Sequence, residues 1–242
     1  APDAAAVLVG VEEDVPLRRR DAHSAGLLEG DRLGRRPAVD EEQAPLLDGL
    51  EQDAHEVAVG REGERVGNRV VPQGKVGLAT VCGVVVNGVL LRSSIPIESR
   101  FGGVLELRNG KPRRYVAIIR YDGTSLDPSE QYIRAGMTSV REAATTGTGH
   151  ILANFREILA PSRVIVEKRM EELRAAGINA VYLLGNTSEP VCQIDVSLNR
   201  VGMVLLGGLN PVAAAAEAGF VVENTAESGL IEYSQLVDIA SI

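Results

Sequence analysis

The sequence predicts an α+β fold, with antiparallel hairpins followed by α/β units in a single domain. Two observations carry this prediction. Short β-branched segments separated by Asn-Gly steps, which are typical of hairpin turns, dominate the chain from residue 71 to about residue 121. Beyond them, apolar strand-like runs alternate with segments of helical periodicity. Hairpins first and alternating strands and helices later are typical of an α+β domain.

Each Asn-Gly step is the predicted centre of a hairpin, because both residues tolerate the positive φ angles that a two-residue turn requires. The predicted hairpins are 75–86 with 89–95 about Asn87-Gly88, and 104–108 with 113–121 about Asn109-Gly110.

Helix start and stop signals follow the hairpins. Residues 127–130, Asp-Pro-Ser-Glu, supply a cap, a first-turn proline and a reciprocal Glu, and Gly136 marks the end of that helix. Ser139 and Glu142 repeat the capping spacing and predict a second short helix. The remaining predicted elements are strands over 150–158, 180–185, 201–206 and 220–224, and helices over 161–177 and 211–218.

Residues 1–70 differ from the rest of the chain in composition. They contain 16 Asp and Glu against 9 Arg, and they lack Phe, Tyr, Trp, Ile, Met, Lys, Cys and Thr. Such a segment buries little apolar surface, which predicts disorder. A GC-rich stretch read in the wrong frame would lose a similar set of residue types. We therefore divide the chain into 1–70, disordered or not native coding sequence, and a folded domain over 71–242.

Several function classes find no support in the sequence. No run of about 18 apolar residues is present, and the start lacks the basic region of a signal peptide, so a cytoplasmic location is expected. Cys82 and Cys192 are too isolated for a disulfide framework or a Cys-rich zinc site. His150 is the single histidine after residue 71, and no known catalytic motif is present. We expect no enzyme activity, no metal and no cofactor.

The turn over residues 207–211, Gly-Gly-Leu-Asn-Pro, joins a predicted strand to a predicted helix. Glycines allow close approach of a ligand, Asn210 can cap the helix, and Pro211 suits the first helical position. Backbone N–H groups at a helix start can bind anions. The same turn is also an ordinary way for a strand to lead into a helix, so the residues alone leave both interpretations open.

A guanidinium group would make a carboxylate-binding site more specific, because arginine binds carboxylates through two parallel hydrogen bonds. The arginines in segments rich in Gly, Ser or Thr are Arg92, Arg100, Arg134 and Arg156. Each of them, taken singly, is more typical of a surface ion pair.

Longer motifs after residue 71 resemble a known family. These motifs are VGLATVCGVVVNGVLLRSSIPIESRFGGVLEL, YDGTSLDP, IRAGMTSVREAATTGTGHILANFREI and VGMVLLGGLNPVAAAAEAG. In this order, from about residue 71 to residue 239, they resemble the regulatory domain of NrpR, the archaeal repressor of nitrogen-assimilation genes. The resemblance covers none of residues 1–70.

The resemblance implies a homodimeric α+β domain that senses 2-oxoglutarate as its effector and thereby releases operator DNA. In that family an N-terminal winged helix-turn-helix binds the DNA. No basic recognition segment precedes residue 71, and the acidity of 1–70 has the wrong sign for phosphate. We therefore expect that the chain does not bind DNA by itself, and that it is either a subunit that acts with a DNA-binding partner of the NrpR type or a fragment.

The resemblance also favours the anion interpretation of the glycine turn. A dicarboxylate needs two donor-rich ends, and because a helix N-terminus can hold one of them, the other should meet an arginine. The predicted ligand-binding residues are Arg92, Arg100, Arg134, Thr138, Ser139, Gly207, Gly208 and Asn210. Two alternatives stay open: an enzyme acting on a small carboxylate through Cys82 or His150, and a purely structural dimerisation module.

Overall fold

A computed structural model of the chain describes residues 4–12 and 57–237. Its strands are β1 (Ala4–Glu12), β2 (Val57–Gly60), β3 (Arg65–Val66), β4 (Arg69–Val70), β5 (Lys75–Val81), β6 (Ile97–Arg108), β7 (Lys111–Arg120), β8 (Gly149–Leu159), β9 (Val181–Thr187), β10 (Arg200–Leu206) and β11 (Val222–Ile231). Its α-helices are α1 (Val84–Arg92), α2 (Pro128–Arg134), α3 (Val140–Thr146), α4 (Arg163–Ala175) and α5 (Asn210–Glu217). The mixture of helices and antiparallel sheets confirms the predicted α+β class.

The first main sheet has the strand order β11-β1-β5-β2, and its neighbouring strands are antiparallel. Two of its strands, β1 and β2, precede the boundary predicted near residue 71. Ala58 of β2 and Val66 of β3 lie in the same buried cluster, so this region contributes apolar side chains to the core. The prediction of disorder therefore does not describe 57–70. For 1–3 and 13–56 it lies outside the described residues.

The second main sheet has the order β7-β6-β8-β10-β9, again with antiparallel neighbours. Both β8 and β9 are antiparallel to β10, which lies between them, so β8 and β9 are parallel to each other. Helix α4 connects them, as expected for the α/β unit predicted in the later part of the chain.

The predicted hairpin about Asn109-Gly110 is confirmed by the pairing of β6 with β7. Asn109 has a φ of 51° and Gly110 a φ of 71°. Two successive positive φ angles define the tight turn that matches the twist of paired strands.

The predicted hairpin about Asn87-Gly88 is wrong, because these residues lie inside helix α1. Glycine costs about 1 kcal/mol relative to alanine in a helix. Val86 and Leu90 of the same helix are completely buried, and burying one such side chain contributes about 1.5–3 kcal/mol. Packing of these side chains into the core thus outweighs the turn preference of the Asn-Gly step.

Strand β8 is the central element around which the core is organised. One cluster joins both main sheets to α1 and α4, and includes Ala79, Leu90, Met170 and Met203. A second packs α2 and α5 against the second sheet, and includes Val104, Tyr132, Leu152 and Val212. A third covers the opposite face of that sheet, and includes Phe101, Phe155 and Val191. Because this part of β8 is buried on both faces, its two charged side chains, Arg156 and Glu157, are enclosed by the fold.

No helix in the ranges 4–12 and 57–237 is both long and apolar enough to cross a membrane.

Candidate functional site

A small pocket opens where the end of β5, the starts of α1 and α2, strand β8 and the turn before α5 meet. Its volume is about 170 Å³. It is lined by Cys82, Val84, Asn87, Ser99, Tyr121, Asp127, Ser129, Asn154, Arg156, Gly208 and Leu209. Most of these side chains are polar, and the volume is below the several hundred Å³ of a drug-sized site, so the pocket suits a small polar ligand.

Arg156 brings a buried positive charge to this pocket. The residue is 3% exposed, and its Nη1 donates to the carbonyl oxygen of Gly83 at 3.0 Å. Successive side chains of a strand point to opposite faces of the sheet. Arg156 therefore shares the pocket face with Asn154, whereas Glu157 lies on the opposite face.

Asn154 presents a hydrogen-bond donor beside the guanidinium group. The hydroxyl of Tyr121 donates to Oδ1 of Asn154 at 2.9 Å, which orients the amide. A Cβ atom built on Gly83 would lie 3.5 Å from Nη2 of Arg156 and 3.6 Å from Nδ2 of Asn154. Both nitrogen atoms therefore lie near Gly83, which stands between the lining residues Cys82 and Val84.

Asn87 lines the pocket from the α1 side. Its Nδ2 lies 3.4 Å from Oγ of Ser99, and its Oδ1 is buried without a hydrogen-bond partner in the described part of the chain. Ser99 is in turn the register partner of Arg156 between β6 and β8. The amide of Asn87 therefore has unused hydrogen-bonding capacity close to the strand position that carries the charge.

Asp127 contributes a carboxylate to the pocket lining, and the predicted helix cap is confirmed at this residue. Its Oδ1 accepts from the backbone N–H of Glu130 at 2.9 Å. This bond satisfies one of the free N–H groups at the start of α2. The carboxylate is thus engaged in holding the α2 side of the pocket in place.

The glycines of the turn before α5 are required by close packing. A Cβ atom on Gly207 would lie 2.8 Å from Cβ of Leu152, and one on Gly208 would lie 2.5 Å from the carbonyl oxygen of Val81. The hydroxyl of Thr80 donates to the carbonyl oxygen of Gly208 at 2.6 Å. Of the eight predicted ligand-binding residues, Gly208 alone lines the pocket.

Asn210 ties α5 to β8 and does not cap the helix. Its Oδ1 accepts from the N–H of Leu152 at 2.8 Å, and its Nδ2 donates to the carbonyl oxygen of Leu152 at 3.0 Å. Leu209 occupies the cap position, without a side-chain capping bond. Both halves of the Asn210 amide are therefore used within the fold.

The three arginines predicted to bind the ligand lie outside the pocket lining. Arg100 forms an ion pair with Glu157, whose side chain is completely buried. Arg92 and Arg134 are exposed in the last turns of α1 and α2, where a positive charge favours the helix dipole.

Thr138 and Ser139 are likewise engaged by other residues. The hydroxyl of Thr138 and the backbone N–H groups of Val140 and Arg141 donate to the carboxylate of Glu217 at 2.8–2.9 Å. Oγ of Ser139 accepts from the N–H of His150 at 2.8 Å. The start of α3 is thus occupied by an internal carboxylate, which the capping pattern around Ser139 does not predict.

The structure separates the reactive groups considered for an enzyme. Cys82 lines the pocket, and His150 does not. Burial raises the pKa of the Cys192 thiol to about 11, so this group is a thiol at neutral pH and a poor nucleophile. Among residues 57–237, no cluster of His, Cys, Asp and Glu suits a metal ion.

Sequence reasoning considered Arg156 and did not select it. The signal that identifies it is the stretch Asn154-Phe155-Arg156, in which two polar residues alternate with an apolar one in a largely apolar strand. Polar residues on one face of a buried strand are uncommon. That spacing places both side chains on the same face, where the structure forms the pocket.

Fold and pocket together define an α+β domain with an open pocket of small-molecule size lined mostly by polar residues. Residues 54–238 match the family model described as NrpR regulatory domains NRD1 and 2. The chain therefore belongs to this family of nitrogen regulators, as a regulatory domain.

Named relatives agree with this assignment. The chain is 34% identical to the global nitrogen regulator NrpRI of Methanosarcina mazei over 70% of this chain and 52% of the relative. It is 32% identical to the global nitrogen regulator NrpR of Methanocaldococcus jannaschii over 67% of this chain and 28% of the relative. The matched chain thus spans from about a quarter to about half of these relatives' length.

A solved structure supports the fold. The crystal structure of a nitrogen repressor-like protein from Methanococcus jannaschii superposes with a TM-score of 0.66. The match covers 98% of this chain and 88% of that chain at 20% sequence identity. At this identity the likeness shows the architecture.

Proposed function

We propose that this chain is the effector-sensing domain of a repressor of nitrogen assimilation, and that it binds 2-oxoglutarate in the pocket beside β8. The observation that carries the proposal is the buried guanidinium of Arg156, which shares a polar pocket with the amide of Asn154. Binding a metabolite without altering it is the chemistry of a sensor.

A carboxylate suits this pocket because a charged acceptor stabilises a charged donor held away from water. A hydrogen bond to a charged group contributes about 1.5–3 kcal/mol, roughly twice as much as a neutral one. Nδ2 of Asn154 lies near the same glycine, Gly83, as the guanidinium, and it offers a second donor. Ser99 and Ser129 are further polar residues of the lining.

Titration calorimetry with 2-oxoglutarate, 2-hydroxyglutarate and glutamate tests this proposal. Arg156→Ala is expected to weaken 2-oxoglutarate binding by about 10- to 150-fold, from the energy of one charge-assisted hydrogen bond. The affinity of Arg156→Lys for 2-oxoglutarate should lie between those of Arg156→Ala and the parent, because lysine keeps the charge but lacks the planar guanidinium group. Arg134→Ala, an exposed arginine outside the pocket, is the matched control and should bind like the parent.

Urea unfolding of each variant shows whether the fold survives the substitution. Parental affinity in a folded Arg156→Ala variant would overturn the proposed site. Loss of affinity in Arg134→Ala, with unchanged affinity in Arg156→Lys, would instead place the ligand site at the end of α2, where Arg134 lies.

We also propose that the chain forms a homodimer. Strand β7 is an edge of the second sheet, and Val116 and Ile118 on it are 41% and 46% exposed. An exposed edge strand with apolar side chains is a ready surface for pairing with another chain. Sedimentation should show a dimer for the parent, and Ile118→Lys should shift it toward monomer. An unchanged dimer would exclude this edge.

The repressor role requires DNA, and we propose that a DNA-binding partner subunit of the NrpR type supplies the contact. The net charge of −8 opposes attraction to phosphates. In a gel-shift experiment, this chain alone is expected to bind operator DNA weakly at physiological salt. Tight binding by the purified chain would contradict this part of the proposal.

An enzyme acting on a small carboxylate is the second candidate, because Cys82 lines the same pocket. A sensor leaves 2-oxoglutarate unchanged during incubation, which proton NMR can follow. Consumption of the ligand that disappears in Cys82→Ala would favour the enzyme over the sensor.

A further inference from the structure

Strand β6 contains a β-bulge at Arg100. Its register against β8 pairs Ser99 with Arg156 and Phe101 with Phe155, which leaves Arg100 as the extra residue of the bulge. A bulge changes the alternation of side chains along a strand, and bulges beside functional sites re-aim a side chain. Arg100 is therefore the residue at which the side chains of β6 change face.

The two sides of the bulge pack in different clusters. Ile97 packs against the cluster that joins both main sheets to α1 and α4, whereas Phe101 lies in the cluster on the opposite face. In a regular strand Ile97, Ser99 and Phe101 would share one face, because side chains alternate. The bulge thus places Ser99 on the pocket face with Arg156, and in a regular strand residue 100 would take that position.

A buried carboxylate holds the side chain of Arg100 on the face opposite the pocket. Nη1 of Arg100 forms an ion pair with Oε1 of Glu157, whose side chain is completely buried, while the Arg100 side chain is 21% exposed. Glu98, the register partner of Glu157, lies 4.0 Å from Nε of Arg100. Like charges directly opposite each other on neighbouring strands repel, and the guanidinium that contacts both offsets this repulsion. Moving Arg100 to the pocket face would leave the buried Glu157 without this countercharge, which is strongly unfavourable.

The backbone of Arg100 also contacts the pocket wall. Its carbonyl oxygen accepts from the N–H of Tyr121 at 3.2 Å. The hydroxyl of Tyr121 in turn donates to Asn154 in the lining. A bulge disrupts the ladder of backbone hydrogen bonds where it occurs. A side-chain link between the two strands therefore stabilises the segment that carries Ser99.

We propose that Arg100 and Glu157 are a positioning pair, which holds the bulge in β6 and thereby turns Ser99 toward the pocket. The pair links β6 to β8 at the point where the bulge interrupts the backbone ladder. The placement of Ser99 is independent of any ligand, whereas its effect on affinity rests on the proposed binding of 2-oxoglutarate.

Two substitutions of Glu157 test this pair. Glu157→Leu removes the buried charge and leaves the partly exposed Arg100 beside Glu98, so the variant is expected to fold. Glu157→Gln has the same shape and keeps an acceptor oxygen for Arg100. If the link positions the bulge, the glutamine variant should preserve its geometry and the leucine variant should lose it.

Nuclear Overhauser contacts between backbone protons report the register in labelled full-length chain. The contact between Ser99 and Arg156 is expected in the parent and in Glu157→Gln, and should be lost in Glu157→Leu. The contact between Val104 and Leu152, further along the same two strands, should remain in all three proteins. A pair that merely stabilised the fold would weaken both contacts or neither. An unchanged contact between Ser99 and Arg156 in Glu157→Leu would overturn the inference.

Calorimetric titration of 2-oxoglutarate measures the consequence for the pocket. Glu157→Leu is expected to weaken binding about tenfold, the scale of coupling through a backbone shift, and Glu157→Gln should weaken it less. Glu167→Leu removes the same charge from the surface of α4 and should bind like the parent. Parental affinity in Glu157→Leu, despite a lost contact between Ser99 and Arg156, would overturn the effect on affinity. Absence of binding by the parent would overturn the proposed function, while the backbone contacts would still decide the placement of Ser99.

Discussion

Replacement of Asn210 by alanine tests whether the turn before α5 is structural. The side chain bonds both the N–H and the carbonyl oxygen of Leu152, a residue that is 1% exposed. In Asn210→Ala the carbonyl oxygen still accepts from the N–H of Gly207. The N–H of Leu152, by contrast, is left buried without its acceptor.

The expected loss follows from these two bonds. A buried donor without a partner costs about 1–3 kcal/mol, and the second hydrogen bond contributes about 0.5–1.5 kcal/mol. We expect Asn210→Ala to lower the free energy of unfolding by about 2–4 kcal/mol. In a domain of this size that corresponds to a fall in Tm of roughly 5–15 °C.

Urea unfolding monitored by circular dichroism measures the loss, and calorimetric titration measures 2-oxoglutarate affinity in the same preparations. Arg134→Ala should stay within about 0.5 kcal/mol of the parent, as an exposed substitution. A parental urea midpoint for Asn210→Ala combined with weakened ligand binding would refute a structural role and restore the turn as a ligand site.

Three further predictions concern other parts of the fold. Glu217→Gln should reduce the free energy of unfolding by about 1–3 kcal/mol in urea, because the carboxylate accepts three hydrogen bonds at the start of α3. An unchanged free energy would show that water replaces the carboxylate as the acceptor. Iodoacetamide should modify Cys192 slowly at pH 7 and faster as the pH approaches its pKa of about 11. Because this pKa is raised in the folded state, the contribution of the Cys192 thiol to the free energy of unfolding is fully present below the ordinary thiol pKa and is lost as the pH rises through about 11. Rapid modification of Cys192 by iodoacetamide at pH 7 would contradict its burial. A chain starting at residue 71 should unfold several kcal/mol more easily than the full chain, because it loses β1 and β2 and the buried Val57, Ala58 and Val66; equal urea midpoints would show that these strands contribute nothing.

Local signals in the sequence determined several elements by themselves. The hairpin about Asn109-Gly110 and the start of α2 at Asp127 are confirmed, because their geometry depends on residues that are adjacent in the chain. The amphipathic segment that forms α4 is confirmed for the same reason. Turn conformation, capping and helical periodicity act within a few residues, so sequence alone is sufficient for them.

The tertiary structure determined the helical conformation of Asn87-Gly88. The step has the residues of a hairpin turn, yet it lies in a helix whose neighbouring Val86 and Leu90 are completely buried. That burial depends on both sheets and on α4, which are distant in the chain. Local preference is worth about 1 kcal/mol here, and side-chain burial exceeds it.

The tertiary structure also decided which polar residues form the pocket. The sequence suggested that a carboxylate site would need an arginine, and it selected Arg92, Arg100 and Arg134 over Arg156. The structure exposes the first and third, pairs the second with Glu157 on the opposite face of the sheet, and buries Arg156 beside Asn154 in the pocket. The lining comes from segments between residues 82 and 209, and residues so far apart in the chain meet only through the packing of the two sheets and their helices. Sequence spacing fixes which side chains share a face of one strand, whereas the contacts between separate elements fix which faces enclose a site.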